Sequence, residues 1–270
     1  MTDASHAAWK PLTATAPALL LSVAQRASFA VDGFLALRHF VSEPELSCTL
    51  TALDGILADL DRVPPFQKMF EKAGDVSSLK QLQALHTHSP ELTRLATQGG
   101  PAALAAAILG DAPVLQNLQY FCKGPGGKGL PTPPHQDSAY FFLKDPSDAV
   151  TLWLSLDDVD EENGAIAYVR GSHLLGLRPH IASGILGFSR TVEDWGEADV
   201  AANAVQCAAP GDLLLHHGLT IHSAGANVSA TRFRRALGFI YFSSSSEVDG
   251  AAKAAYHEKL YNDLHEKGRI

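Results

Sequence analysis

From residue 114 onward the chain is a series of short apolar segments cut apart by glycine, proline and asparagine, and no other feature restricts its possible folds as much. Strands are expected at 114–122, 138–142, 150–156, 165–170, 204–207, 212–216 and 234–243. Several short strands joined by such turns imply an antiparallel barrel or jelly roll. The dipeptide Asn163-Gly164 reads as a hairpin turn. Within 150–156, Val150, Leu152, Leu154 and Leu156 share one face, and Thr151, Trp153 and Ser155 share the other. The aliphatic face should pack beneath helices while Trp153 looks into the barrel.

The first part of the chain should supply those helices. Segment 34–40 alternates as a strand does, and Ser42-Glu43-Pro44-Glu45 has capping-box form, opening a helix over 44–60. Ser89-Pro90-Glu91 opens a second helix, and Pro101 after Gly99-Gly100 opens a third that Gly110 would close. Tyr256, Leu260 and Leu264 recur at helical spacing near the end. A chain of 270 residues, 46% hydrophobic, suits one large domain with a full core. The expected architecture is mainly β with flanking helices: a double-stranded β-helix, or cupin-like jelly roll, braced by N-terminal helices in a single domain over 1–270. Helical support would occupy about 1–112, the jelly-roll core about 113–245 and a C-terminal helix about 250–266.

His135-Gln136-Asp137 follows a loop-forming stretch at 124–134 and precedes Tyr140, Phe141 and Phe142, which suggests a pocket rim at a loop-to-strand entry. On a strand, residues two apart point to one face, so His135 and Asp137 could grip one ion together. In a chain with twelve histidines, a lone His-x-Asp is usually a surface accident. If the sheet folds back, His222 supplies a third ligand, and two imidazoles with one carboxylate then leave the opposite face of the metal open. That is the ligand set of non-heme Fe(II) oxygenases. The open positions suit a bidentate 2-oxo acid such as 2-oxoglutarate, and then O2. The far carboxylate of that acid calls for a planar, permanently charged fork, and Arg232, Arg234 and Arg235 compete for the role.

The chain resembles the phytanoyl-CoA dioxygenase family of Fe(II)/2-oxoglutarate oxygenases, in particular its phytanoyl-CoA dioxygenase domain-containing members, which do not all act on phytanoyl-CoA. The matching blocks are His135-Gln136-Asp137-Ser138-Ala139-Tyr140, Trp153-Leu154-Ser155-Leu156-Asp157-Asp158, Glu162-Asn163-Gly164-Ala165, Arg170-Gly171-Ser172-His173 and His222-Ser223-Ala224-Gly225-Ala226-Asn227. Asp32-Gly33-Phe34-Leu35 and Ala84-Leu85-His86-Thr87-His88 fit as well, so the likeness spans nearly the whole chain. It implies His135, Asp137 and His222 as iron ligands and puts the 2-oxoglutarate arginine in the block Arg234-Arg235-Ala236-Leu237. The gap from His222 is one residue longer than usual in the family, and strand alternation alone leaves both arginines open. Arg234 is chosen because Ala236 and Gly238 beside it leave room for a ligand. Lys80, Gln119 and Trp153 match positions near the cofactor or lining the pocket.

The implied reaction is hydroxylation of a C–H bond in a small organic substrate, with release of succinate and CO2. Asp137 fills the position that a halogenase would leave for halide. Two rivals are a metal-dependent cupin-like isomerase or hydrolase, which has no need of Arg234, and a non-catalytic binding homologue, which would be marked by a broken ligand set.

Acidic residues outnumber basic ones 29 to 21, a net charge of -8, and no basic run occurs. That disfavours nucleic acid, anionic membrane and, mildly, coenzyme A as partners, and leaves a small molecule, with the protein a monomer or homodimer. Cys48, Cys122 and Cys207 form neither a disulfide framework nor a zinc knuckle. The apolar run at 18–21 is too short for a signal core, and Gly268-Arg269-Ile270 is no peroxisomal address, so a cytoplasmic location is expected. The connection over 174–203 suits a lid or a substrate wall, with plain packing of its residues against the sheet as the alternative, and Phe142, Lys80, Arg178 and Trp195 are candidates to face the substrate. His216 or His217 should give a supporting hydrogen bond, His173 a structural turn, and His86 and His88 ordinary loop or helix positions.

Overall fold

The computed structural model describes residues 21–72, 75–185, 187–256 and 258. In chain order the elements are α1 (Val23–Asp32), β1 (Phe34–Leu37), α2 (Glu43–Leu57), β2 (Lys68–Phe70), β3 (Leu79–Leu82), α3 (Pro90–Gln98), α4 (Gly100–Leu109), β4 (Pro113–Lys123), β5 (Thr132–His135), α5 (Ser138–Phe141), β6 (Ala149–Ser155), β7 (Ile166–Val169), β8 (His180–Ile185), β9 (Phe188–Val192), α6 (Glu197–Ala201), β10 (Asn203–Gln206), β11 (Leu213–His217), β12 (His222–Ala224) and β13 (Arg234–Ser243). Local signals in the sequence account for the helix ends. The Glu45 carboxylate accepts the Ser42 N–H at 3.1 Å, and Gly110, at φ 68°, ends α4 with its N–H on the Ala106 carbonyl.

Two antiparallel sheets face one another. The larger runs β1-β11-β6-β13-β4-β3-β2 and the smaller β10-β7-β12-β5. This is a mainly β, jelly-roll architecture with helices on one side. The alternation in β6 sorts as the sequence implies. Val150, Leu152 and Leu154 join Leu213, Leu215, Leu237 and Phe239 under Leu53 of α2, Leu92 and Leu95 of α3 and Leu104 of α4. Trp153 points the other way, into the space between the sheets with Tyr168, Leu214 and Ala236. The helices thus seal one face of the large sheet and leave its other face to build a site.

Four expectations need correction. Segment 138–142 is not a strand: Ser138 gives its N–H to the Gly218 carbonyl and its hydroxyl to the Pro146 carbonyl, so loops rather than a neighbouring strand satisfy it, and one helical turn results. Asn163-Gly164 does not close a hairpin, because β6 and β7 lie in different sheets. There the Asn163 amide donates to the carbonyls of Asp158 and Phe233 and accepts from the Asp160 N–H, shaping a crossing turn. The connection over 174–203 is not a bare loop either, since it carries the β8–β9 hairpin and α6. Finally, α2 ends at Leu57 rather than at 60. The C-terminal helix begins at 250, but Leu260 and Leu264 lie outside the described residues, as do positions 18–20 and 268–270.

Candidate active site

Strand pairing brings the first two ligand candidates together. His222 of β12 stands directly across from His135 of β5, with ring centroids 4.2 Å apart. Asp137 reaches them by another route than strand alternation. The strand ends at His135, and Asp137 has helical backbone angles (φ −60°, ψ −37°) just before α5. That turn swings its carboxylate inward, with Oδ1 at 3.6 Å from His135 Nε2 and 3.7 Å from His222 Nε2. One donor atom from each of the three lies within 4.8 Å of the others.

The surrounding hydrogen bonds fix which atoms face the common centre. His135 Nδ1 donates to the Pro133 carbonyl at 2.8 Å and His222 Nδ1 to the Thr220 carbonyl at 3.1 Å, leaving both Nε2 lone pairs free. Asp137 Oδ2 accepts from Thr151 Oγ1 at 2.6 Å and from His216 Nε2 at 3.0 Å, which leaves Oδ1 for an ion. His216 in turn accepts at Nδ1 from the Tyr168 hydroxyl, 3.1 Å away, so His216 is the supporting histidine of the 216–217 pair. Burial, together with His135 and His216, holds His222 well below the ordinary imidazole range, so it stands as a neutral ligand. Burial alone would raise the Asp137 carboxyl, but the surrounding imidazoles of His222, His135 and His216, the last through its hydrogen bond, hold it well below the carboxylate range. Two imidazole nitrogens and an ionised carboxylate suit a divalent metal such as iron. Thr151→Val is expected to weaken iron binding about 10–100-fold, the usual cost of losing such an outer partner, as read by competition with a chelator.

Beside this centre lies a cavity of about 250 Å³ lined by all three candidates together with Lys80, Gln119, Trp153 and Arg234. The three competing arginines separate by their partners. Arg232 pairs with Asp160 at 2.9 Å and with Glu162, and Arg235 pairs with Asp157 at 2.7 Å. Arg234 is 4% exposed, donates from Nε to the Gly164 carbonyl at 3.1 Å and lies 5.4 Å from the Trp153 ring. Among the described residues it has no carboxylate partner. Burial pushes its guanidinium down to about 10, which still leaves it charged at neutral pH. Lys80 is buried in an ion pair with Glu71 at 3.1 Å.

The other expected pocket residues point elsewhere. Phe142 packs on Tyr256, Arg178 is held by Asp199 at 2.6 Å and Asp194 at 2.8 Å, and Trp195 packs with Val169, Val192 and Ile221. His88 bonds Gln67, while His86 sits in a turn away from the cavity. Phe141 lines the cavity in place of Phe142. Phe121, Lys123 and Gln81 were not foreseen, although the first two follow from continuing the alternation along β4 beyond Gln119. No local signal marks Gln81. It is 2% exposed and lies on the cavity wall. From the hairpin within the expected lid or wall, Phe188 reaches in, 5.3 Å from the His135 ring and 6.4 Å from that of Phe121.

A phytanoyl-CoA dioxygenase (PhyH) family model matches residues 29–236. The chain belongs to the phytanoyl-CoA dioxygenase family. Phytanoyl-CoA dioxygenase domain-containing protein 1 of Bos taurus is 26% identical over 264 residues, covering 81% of this chain and 89% of that protein. A protein of Stutzerimonas stutzeri described as a probable alpha-ketoglutarate-dependent hypophosphite dioxygenase is 27% identical over 220 residues, covering 78% and 75%. EctD from S. alaskensis superposes with a TM-score of 0.72 at 22% identity, covering 88% of this chain and 81% of EctD, a likeness of fold. With a His-Asp-His group that could hold a metal ion, this member of the phytanoyl-CoA dioxygenase family is a non-heme Fe(II), 2-oxoglutarate-dependent oxygenase. Among the described residues no helix is long and apolar enough to cross a membrane.

Proposed function

We propose that the protein hydroxylates a C–H bond of a small organic substrate at iron held by His135, Asp137 and His222, with Arg234 anchoring the far carboxylate of 2-oxoglutarate. The observation that carries this reading is the contrast among the arginines. Arg232 and Arg235 are already paired, whereas Arg234 is buried on the wall of the cavity that holds the three ligands, with no carboxylate among the described residues. A buried cation without a counter-ion is costly, and a bound dicarboxylate supplies that counter-ion. An isomerase or hydrolase on the same ligand set would leave Arg234 without a purpose.

When bound, iron supplies the redox chemistry that couples loss of CO2 from the oxo acid to oxidation of the substrate. The protein's own side chains position and shield. Thr151 and His216 hold the Asp137 carboxylate in one orientation, Trp153 flanks the Arg234 fork, and Phe121 and Phe188 keep the space over His135 apolar. Gln81, Gln119, Tyr140 and Lys80 remain on the wall to orient a substrate. About 250 Å³, shared with the oxo acid, favours a compact molecule over a long acyl chain. The neighbours include SnoK, described as a carbocyclase, so the same co-substrate serves other outcomes elsewhere on this fold. We read the chain as one catalytic domain and, from its acidity and three free cysteines, as cytoplasmic. The test is a screen for compounds that stimulate succinate formation, run under labelled dioxygen. Hydroxylation puts one labelled oxygen atom into the product. Products that gain no oxygen would sink it.

A further inference from the structure

Arg234 is not the only buried basic side chain of this cavity. Directly across the β4–β13 ladder stands Lys123, 5% exposed and also on the cavity wall. The two side chains run along the same backbone. Arg234 Nε donates to the Gly164 carbonyl, and a Cβ on Gly164 would stand 3.1 Å from Lys123 Cδ and 2.6 Å from the Gly225 oxygen. Lys123 Nζ donates to that Gly225 oxygen at 2.7 Å and to the Leu130 carbonyl at 2.6 Å. A neutral amine spends its two protons on these two carbonyls, and the third proton of an ammonium would be left for a ligand. Among the described residues Lys123 has no ion pair, and the nearby Glu71 is already taken by Lys80 at 3.1 Å. A buried guanidinium beside an amine that can become a second cation, with no carboxylate between them, offers a place for an anion from outside.

We propose that Lys123 is the second cation of the subsite that receives the far carboxylate of 2-oxoglutarate, and that it enters as a neutral amine and takes up a proton as the dianion binds. This rests on the reading of Arg234 given above. The charged groups around the amine are Arg234 of β13, Lys80 of β3 and Glu71. Burial first, and then Arg234 and Lys80, push it down to about 6, against an opposing pull from Glu71. A carboxylate beside Nζ reverses the balance and raises the bound-state value. Between the two values, binding moves one proton from the buffer to Nζ, so affinity falls as pH rises, by up to about tenfold per pH unit. Below the free-state value the amine is already charged and the dependence vanishes.

The experiment is calorimetric titration of 2-oxoglutarate into anaerobic Fe(II)-loaded protein at pH 8, in two buffers of different ionisation enthalpy. The expected result is uptake of about one proton per 2-oxoglutarate and a Kd up to about tenfold higher than at pH 7. Lys123→Arg, which keeps a permanent charge, should bind the oxo acid with the uptake gone. Should that variant fail to fold, the wild-type proton count still decides. Binding without proton exchange, or uptake undiminished in Lys123→Arg, overturns the role of Lys123 and leaves that of Arg234 standing. No binding of 2-oxoglutarate at all would overturn both.

Discussion

Asp137→Ala is expected to bring 2-oxoglutarate-dependent succinate formation down to the level of metal-free protein, a loss of more than about a hundredfold, since losing a mere outer partner of a metal site already costs 10–100-fold. The expectation follows from how the carboxylate is held. Its Oδ2 is saturated by Thr151 and His216, and its Oδ1 is the atom that closes the triangle with the two Nε2 atoms. No other carboxylate joins that group among the described residues. The variant also strands the Thr151 hydroxyl and His216 Nε2, so a stability cost of about 1–3 kcal/mol should accompany the loss. A thermal melt together with an iron count separates the two effects: folded protein without bound iron is the predicted state. Wild-type turnover in this variant would remove the iron assignment.

Arg234→Met should raise the KM for 2-oxoglutarate roughly 30- to 5000-fold, the span that corresponds to losing about 2–5 kcal/mol from a buried charge pair. Because the guanidinium touches the end of the oxo acid remote from the chemistry, turnover at saturating 2-oxoglutarate should fall much less. Arg235→Met is the matched control. Its guanidinium is about a third exposed and bound to Asp157, outside the cavity lining. Its removal should shift the KM for 2-oxoglutarate by less than about threefold, in keeping with the small worth of exposed pairs. Equal effects in both variants, or a larger one at Arg235, would reverse the choice between them.

The sequence reveals those features that rest on short-range pattern. The apolar alternation of β6 foretells both its faces, because each residue's direction on a strand follows from its place in the count. The capping residues of α2, α3 and α4 foretell where those helices start, because a cap is a local contact. What escapes is whatever a distant partner decides. Ser138 has strand-like neighbours, yet Gly218 and Pro146 draw it into a turn, and that turn is what aims Asp137. Asn163-Gly164 has the form of a hairpin, but the Phe233 carbonyl, seventy residues away, helps commit it to a crossing between sheets. The two arginines differ only in their partners: Asp157 lies far off in the chain and claims one of them. Even His135 and Asp137, which do come together, meet by another cause than the alternation of one strand, since the strand stops between them.

The most direct measurement mixes the Fe(II)-loaded protein with 2-oxoglutarate in air and follows succinate and CO2 together. A single iron at His135, Asp137 and His222 beside an Arg234-anchored oxo acid predicts that both appear in equal amounts, slowly without a substrate, and that both vanish in Asp137→Ala. Protein that binds the metal stoichiometrically and leaves 2-oxoglutarate untouched would contradict the account at its centre.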